Sequence, residues 1–151
     1  VIVKEEGWKM IKQISLFLEN KKGRLAYVCR VLANEQINIR ALSIADTTNF
    51  GVLRLIVNNP EKAYEVLQKN NFAVSMTDVL AMEVPDVPGG LAGALERLDQ
   101  AAINVEYMYA FLGKTSHGAL VIIRVENPEE AIPVIREAGI KLLDGDEVYS
   151  L

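Results

Sequence analysis

The chain has 151 residues, half of them apolar, with a net charge of −4 and a single cysteine. That length makes one ordinary domain or two small ones. The acidic balance argues against a nucleic-acid partner, and the lone Cys29 excludes an internal disulfide framework and fits a reducing cytoplasm. No apolar run approaches the roughly 20 residues of a membrane span.

Residues 1–10, VIVKEEGWKM, carry acids among the bases and do not read as a secretory signal; they read as a leader, or translation starts at Met10. Ile14, Leu16 and Leu18 then alternate with Gln13, Ser15 and Phe17, the period of a strand. After the loop ENKKG, the residues Leu25, Val28, Cys29 and Leu32 have the spacing of an amphipathic helix, which makes Cys29 a buried thiol. INIRALSIAD and GVLRLIV are β-rich runs split by TTNF, a hairpin. Asn59-Pro60-Glu61 opens a second helix with an Asn cap, Pro at the first position and an acid favoured by the helix dipole. Its apolar stripe is Ala63, Val66 and Leu67, and AVSMTDVL follows as a short strand.

The chain then repeats itself. Glu19–Ser43 aligns with Pro85–Tyr109, placing Gly23 on Gly89, Leu25 on Leu91 and Asn38 on Asn104; VNNPEKAYEVLQKNNF aligns with VENPEEAIPVIREAGI. The register shifts by two between these blocks, so the extra length falls in 112–118, where GKTSHG reads as a turn. Leu80, Met82 and Val84 start the second copy; Leu91, Ala94, Leu95 and Leu98 give its first helix an inward stripe. Pro133 lies inside the last helix and predicts a kink or a short first turn there.

Each copy is βαββαβ, the ferredoxin-like layout. The fold class is α+β: two such repeats, 11–79 and 80–151, side by side, with antiparallel sheets and helices on one face. Residues 10–80 carry nine bases against six acids and residues 81–151 five against twelve, which favours contact between the halves.

Catalytic chemistry finds few candidates. His117 sits in the GKTSHG turn without a His or Cys partner, metal-ligand spacing is missing, and no cofactor is implied. Gly113-Lys114-Thr115 mimics the end of a phosphate loop, but Met108 stands where its first Gly belongs and a strand follows where a helix is needed. Gly89-Gly90-x-x-Gly93 lacks the dinucleotide register. The RNA-recognition motif shares the topology but stacks bases on third-strand aromatics, which GALVIIRV does not have. An enzyme is therefore the last-ranked class.

The glycine loops carry the functional signal. In both copies a strand ends, a glycine-bearing loop follows and a helix begins, presenting unpaired N–H groups and about half a unit of positive charge. Such a place suits a carboxylate; Asn38 and Asn104, opening the next strand, offer polar contacts, and Asp86 an acceptor for an ammonium group. The same glycines also serve a plain strand-to-helix turn.

These motifs resemble the ACT domain, a regulatory βαββαβ module marked by Asp/Asn-x-Pro-Gly-x-Leu opening helix 1 and Ile-Asn-Ile opening strand 2. Asp86-Val87-Pro88-Gly89-Gly90-Leu91 with Ile103-Asn104-Val105 matches closely; Asn20-Lys21-Lys22-Gly23-Arg24-Leu25 with Ile37-Asn38-Ile39 matches except that Lys22 replaces Pro. The resemblance covers about 11–149 and is strongest to stand-alone tandem ACT proteins, which carry no catalytic domain. It implies a non-catalytic, cytoplasmic protein that binds a free amino acid at the interface between ACT modules and acts on an unidentified partner enzyme. The implied ligand residues are Asn20, Lys22, Gly23, Arg24, Leu25, Asn38 and Ile39 in the first copy, and Asp86, Pro88, Gly89, Gly90, Leu91, Asn104 and Val105 in the second. The competing reading is a structural module that oligomerises without a small ligand. If Ile37, Ile39, Ile103 and Val105 face the helices, strand alternation puts Leu42, Ile44 and Met108 on the open sheet face with Phe17, and that face predicts a homodimer or larger assembly.

Overall fold

The computed structural model describes residues 7–46, 49–112 and 118–151. His117 and the phosphate-loop mimic at Gly113-Lys114-Thr115 lie outside the described residues.

The elements run β1 (Ile11–Glu19), α1 (Arg24–Asn34), β2 (Ile39–Asp46), β3 (Phe50–Val57), α2 (Pro60–Lys69), β4 (Val74–Val84), α3 (Gly90–Gln100), β5 (Val105–Ala110), β6 (Ala119–Val125), α4 (Pro128–Glu137), β7 (Lys141–Leu143) and α5 (Gly145–Tyr149). Two ACT-like βαββαβ repeats are present, and the strand that closes the first and the strand that opens the second are one element, β4. The chain forms two compact units, residues 12–77 with 149–151, and residues 78–148 with the segment up to Ile11.

In the unit built on the first repeat the sheet order is β2-β3-β1, antiparallel, and the Phe17 amide donates to the Ala73 carbonyl at 3.3 Å, bringing the approach to β4 alongside β1. Ile14, Leu16 and Leu18 of β1 meet Leu53 and Leu55 of β3, Val28 and Leu32 of α1 and Leu67 of α2 in one core. Asn59 caps α2 by accepting from the Lys62 amide at 3.2 Å. Cys29 is only partly buried, because it stands at the margin of the α1 stripe centred on Val28 and Leu32.

In the other unit the order is β5-β6-β4-β7. Leu80, Met82 and Val84 pack with Ile123, Leu98, Ile132 and Ile135, and Trp8 and Met10 join the edge of this core. The Arg136 guanidinium lies 4.6 Å over the Trp8 ring, and the Gly145 amide donates to the Lys9 carbonyl at 2.7 Å. The residues read from sequence as a leader are thus partly built into the second repeat's unit. As read from the sequence, Pro133 lies inside helix α4; its ring is exposed, while Ala131, Ile132 and Ile135 around it are buried. One feature differs from expectation. Asn127, which repeats Asn59, makes no side-chain cap.

The sheet-face assignment also changes. Ile39 pairs with Val57 but Ala41 with Ile56, so Arg40 is an extra residue in β2; Val105 pairs with Val125 but Tyr107 with Arg124, so Glu106 is the same extra residue in β5. A bulge reverses the alternation beyond it. Leu42 and Ile44 therefore stand opposite Leu55 and Leu53 on the helix face, and Met108 stands opposite Ile123 and packs against the second core. Of the four residues assigned to the other face, only Phe17, 63% exposed, lies there. That face is not simply open: Gln13, Ala41 and Ile56 on it are fully buried in the folded chain.

Candidate functional site

Each glycine loop is a turn closed by its own backbone. The Arg24 amide donates to the Lys21 carbonyl at 3.3 Å and the Gly90 amide to the Val87 carbonyl at 2.9 Å. Gly23 (φ 88°) and Gly89 (φ 84°) hold the N-cap positions of α1 and α3 in the left-handed region, where a Cβ is strained although the space beside both is open. Gly90 has a different reason: a Cβ there would overlap the Pro85 carbonyl. Neither helix start carries a side-chain cap. The second and third amides of α1 (Leu25, Ala26) and of α3 (Leu91, Ala92) have no acceptor within their helices, as at any α-helix start. The loops are thus tight turns, and a Cβ at Gly23 or Gly89 would meet nothing within 4 Å.

Around the first loop the charges pair off. Lys21 Nζ lies 2.9 Å from the Glu19 carboxylate; that hydrogen bond and charge, with a smaller contribution from Arg24, hold the Glu19 carboxyl below its ordinary range. The Arg24 guanidinium lies 5.0 Å over the Phe72 ring and 5.6 Å over Tyr27, so it rests on an aromatic pair. Asn20, Lys22, Asp86 and Pro88 are exposed. Leu25 and Leu91, read as inward-facing, are 38% and 41% exposed.

Asn38 and Asn104 are not beside these loops. Val84, which ends β4, pairs with Ala119, whereas Val105 pairs with Val125, six residues further along β6. At about 3.4 Å per residue the glycine loop and Asn104 are separated by about 20 Å, at opposite ends of one sheet. The first repeat has the same arrangement, Glu19 beside Phe50 and Ile39 beside Val57. Ile39 and Val105 pack at the margins of the two cores.

At the Asn104 end of the second repeat is a cavity of about 300 Å³ lined by Asn104, Glu106, Glu126, Asn127 and Glu130 among others. In the first repeat the aligned positions are Arg40, Asn58 and Lys62 in place of the three glutamates. One end is thus acidic in one copy and basic in the other. Glu106 is engaged by Arg124 at 3.5 Å, and Lys62 donates to the Glu35 carbonyl at 2.8 Å. Comparing side chains between the aligned repeats, and not only their glycines, would have marked these positions from sequence. Among the described residues no group of three or more His, Cys, Asp or Glu could hold a metal ion, and no helix is long and apolar enough to cross a membrane.

Residues 9–151 match the family model described as an ACT domain pair. The chain belongs to the ACT family. This ACT pair is 44% identical to protein BT0572 from Bacteroides thetaiotaomicron, whose crystal structure it matches with a TM-score of 0.87 over 95% of this chain and 99% of that one. The ligand-free regulatory subunit of aspartate kinase from Thermus thermophilus has the same fold, at 16% identity and a TM-score of 0.62, covering 91% of this chain and 99% of that one. The Thermus flavus regulatory subunit is alike, at 17% identity and 0.60, with the same coverage. No curated protein matches the chain. The two Thermus structures are, by their descriptions, of regulatory subunits.

Proposed function

We propose that this ACT pair is a non-catalytic sensor of a free amino acid, binding it where the glycine loop of one ACT module meets the strand-2 start of another, in the cytoplasm, and passing the signal to a partner enzyme. The carboxylate lies against the uncapped helix starts at Gly23–Leu25 and Gly89–Leu91. Asn38 or Asn104 of the facing module holds the polar remainder, with Asn20 or Asp86 beside the loop. The observation that carries this reading is the pair of uncapped, left-handed glycine helix starts, each opening on free space. The separation of about 20 Å within a module supports a site made by two modules, since a free amino acid is far too short to bridge one alone. Ligand binding shifts the protein only through its differential affinity for two arrangements of the modules.

Isothermal titration calorimetry against the twenty amino acids tests the reading. One or a few ligands are expected to bind, with affinity lost on Gly89→Val and weakened on Asn104→Ala. Because Gly89→Val strains the loop, the exposed Asp86→Ala serves as a second loop variant. No heat from any amino acid, or binding indifferent to all three variants, overturns it.

A further inference from the structure

The cavity of about 300 Å³ beside the start of α4 is lined wholly by residues of the second repeat, with room for roughly ten waters at about 30 Å³ each. Ile103 and Val134 give it apolar surface; Glu106, Glu126, Asn127 and Glu130 give it polar surface. Glu106 is paired with Arg124 at 3.5 Å. Among the described residues no cation pairs with Glu126 or Glu130, and the Asn127 side chain caps nothing. The first repeat spends the same positions on itself. There the Asn58 side chain accepts from the Asn38 amide at 2.9 Å, Asn59 caps α2, and the Lys62 ammonium donates to the Glu35 carbonyl at 2.8 Å. The second repeat has Glu126, Asn127 and Glu130 at those positions, and Ala101 in place of Glu35. Where one copy seats its own ammonium, the other offers two carboxylates without one. The dipole of α4 favours acids in its first turn, but Glu106 stands on β5 and is not explained that way. Nor do the three carboxylates suit a metal, since they form no group able to hold one ion. Separated negative charges beside apolar surface fit positive charge carried on a hydrocarbon chain.

We propose that this cavity binds an aliphatic ammonium ligand. Its methylene chain lies against Ile103 and Val134, and its ammonium donates to the Glu126 and Glu130 carboxylates and the Asn127 carboxamide oxygen. A charge-assisted hydrogen bond of this kind is about twice as strong as a neutral one. A free diamine and the side chain of a basic amino acid share this chemistry. The cavity has Asn104 in common with the amino-acid reading above but does not rest on it, because the glycine loops lie at the other end of the sheet.

Calorimetric titration with 1,5-diaminopentane, lysine and norleucine tests the proposal and separates the sources. The diamine is lysine without its carboxylate, and norleucine is lysine without its side-chain ammonium. Binding of the diamine, of lysine, or of both is expected, with norleucine silent. Glu126→Gln and Glu130→Gln, which keep size and shape, should each weaken that binding about tenfold. Asp86→Ala, at the glycine loop, should leave diamine binding unchanged, and the Asn127 side-chain amide should shift in an NMR titration. Diamine binding alone identifies a free amine as the ligand; lysine binding alone identifies the amino-acid side chain; both outcomes uphold the site. Silence from diamine and lysine at millimolar concentration, or binding indifferent to both glutamine variants, overturns it. The sensor reading fails separately: it falls if no amino acid binds, whereas diamine binding lost in the glutamine variants would still establish this cavity.

Discussion

Gly90 packs against the carbonyl of Pro85 so closely that it has no room for a Cβ. Gly93, one turn further along α3, faces open space. Gly90→Ala must push the loop aside and is expected to cost about 1–3 kcal/mol, as overpacking does. Gly93→Ala is expected to stabilise by about 0.5–1 kcal/mol, the ordinary gain of Ala over Gly in a helix. Urea titration of both variants checks the pair, and a shared sign would contradict the geometry.

Met108 packs against the second core from the helix face. Met108→Ala is expected to lower stability by about 1–3 kcal/mol, less than for a fully buried methionine, and to leave the oligomeric state unchanged. Denaturant midpoints read beside sedimentation separate the two effects.

Much of this architecture is legible in the residues. The 2.0 and 3.6 periods, the Asn-Pro-Glu helix starts and the internal alignment mark the βαββαβ repeats. Met108 illustrates what is not legible. Strand alternation run through Glu106 as though the ladder were regular puts Met108 on the wrong face, because one bulged residue reverses every assignment after it. Nothing in INIRALS or INVEYMY marks the bulge by composition, because it is decided by pairing with β3 and β6. The site was half legible for a related reason: Gly89 and Asn104 are motif partners in sequence, but the topology puts them at opposite ends of a sheet.

Asn59 and Asn127 occupy the same cap position, yet only Asn59 accepts a hydrogen bond, from Lys62. Asn59→Ala is therefore expected to cost about 1 kcal/mol and Asn127→Ala clearly less. Thermal unfolding of the two variants in parallel measures the difference.

The Glu19 carboxyl is held below its ordinary range, first by its hydrogen bond to Lys21 and then by charge. A carboxyl whose folded value lies below its unfolded value contributes stability above the unfolded value and loses it as pH falls through the folded one. NMR titration should find Glu19 titrating lower than an unpaired exposed glutamate, and Lys21→Ala should return it upward. No upward movement in that variant would show that the ion pair does not govern the group.

The meeting of Lys9 with Gly145 has a practical consequence. Each compact unit takes in one extremity that sequence order would give to the other, the segment up to Ile11 joining 78–148 and residues 149–151 joining 12–77, so scissors placed between the duplicated halves would not release two freestanding modules. A piece starting near Asp78 would lack Trp8 and Met10 against its core, and its complement would lack Tyr149, whose hydroxyl accepts from the Lys12 amide at 2.7 Å. Cutting at that boundary is therefore expected to weaken both pieces, not to free two stable modules.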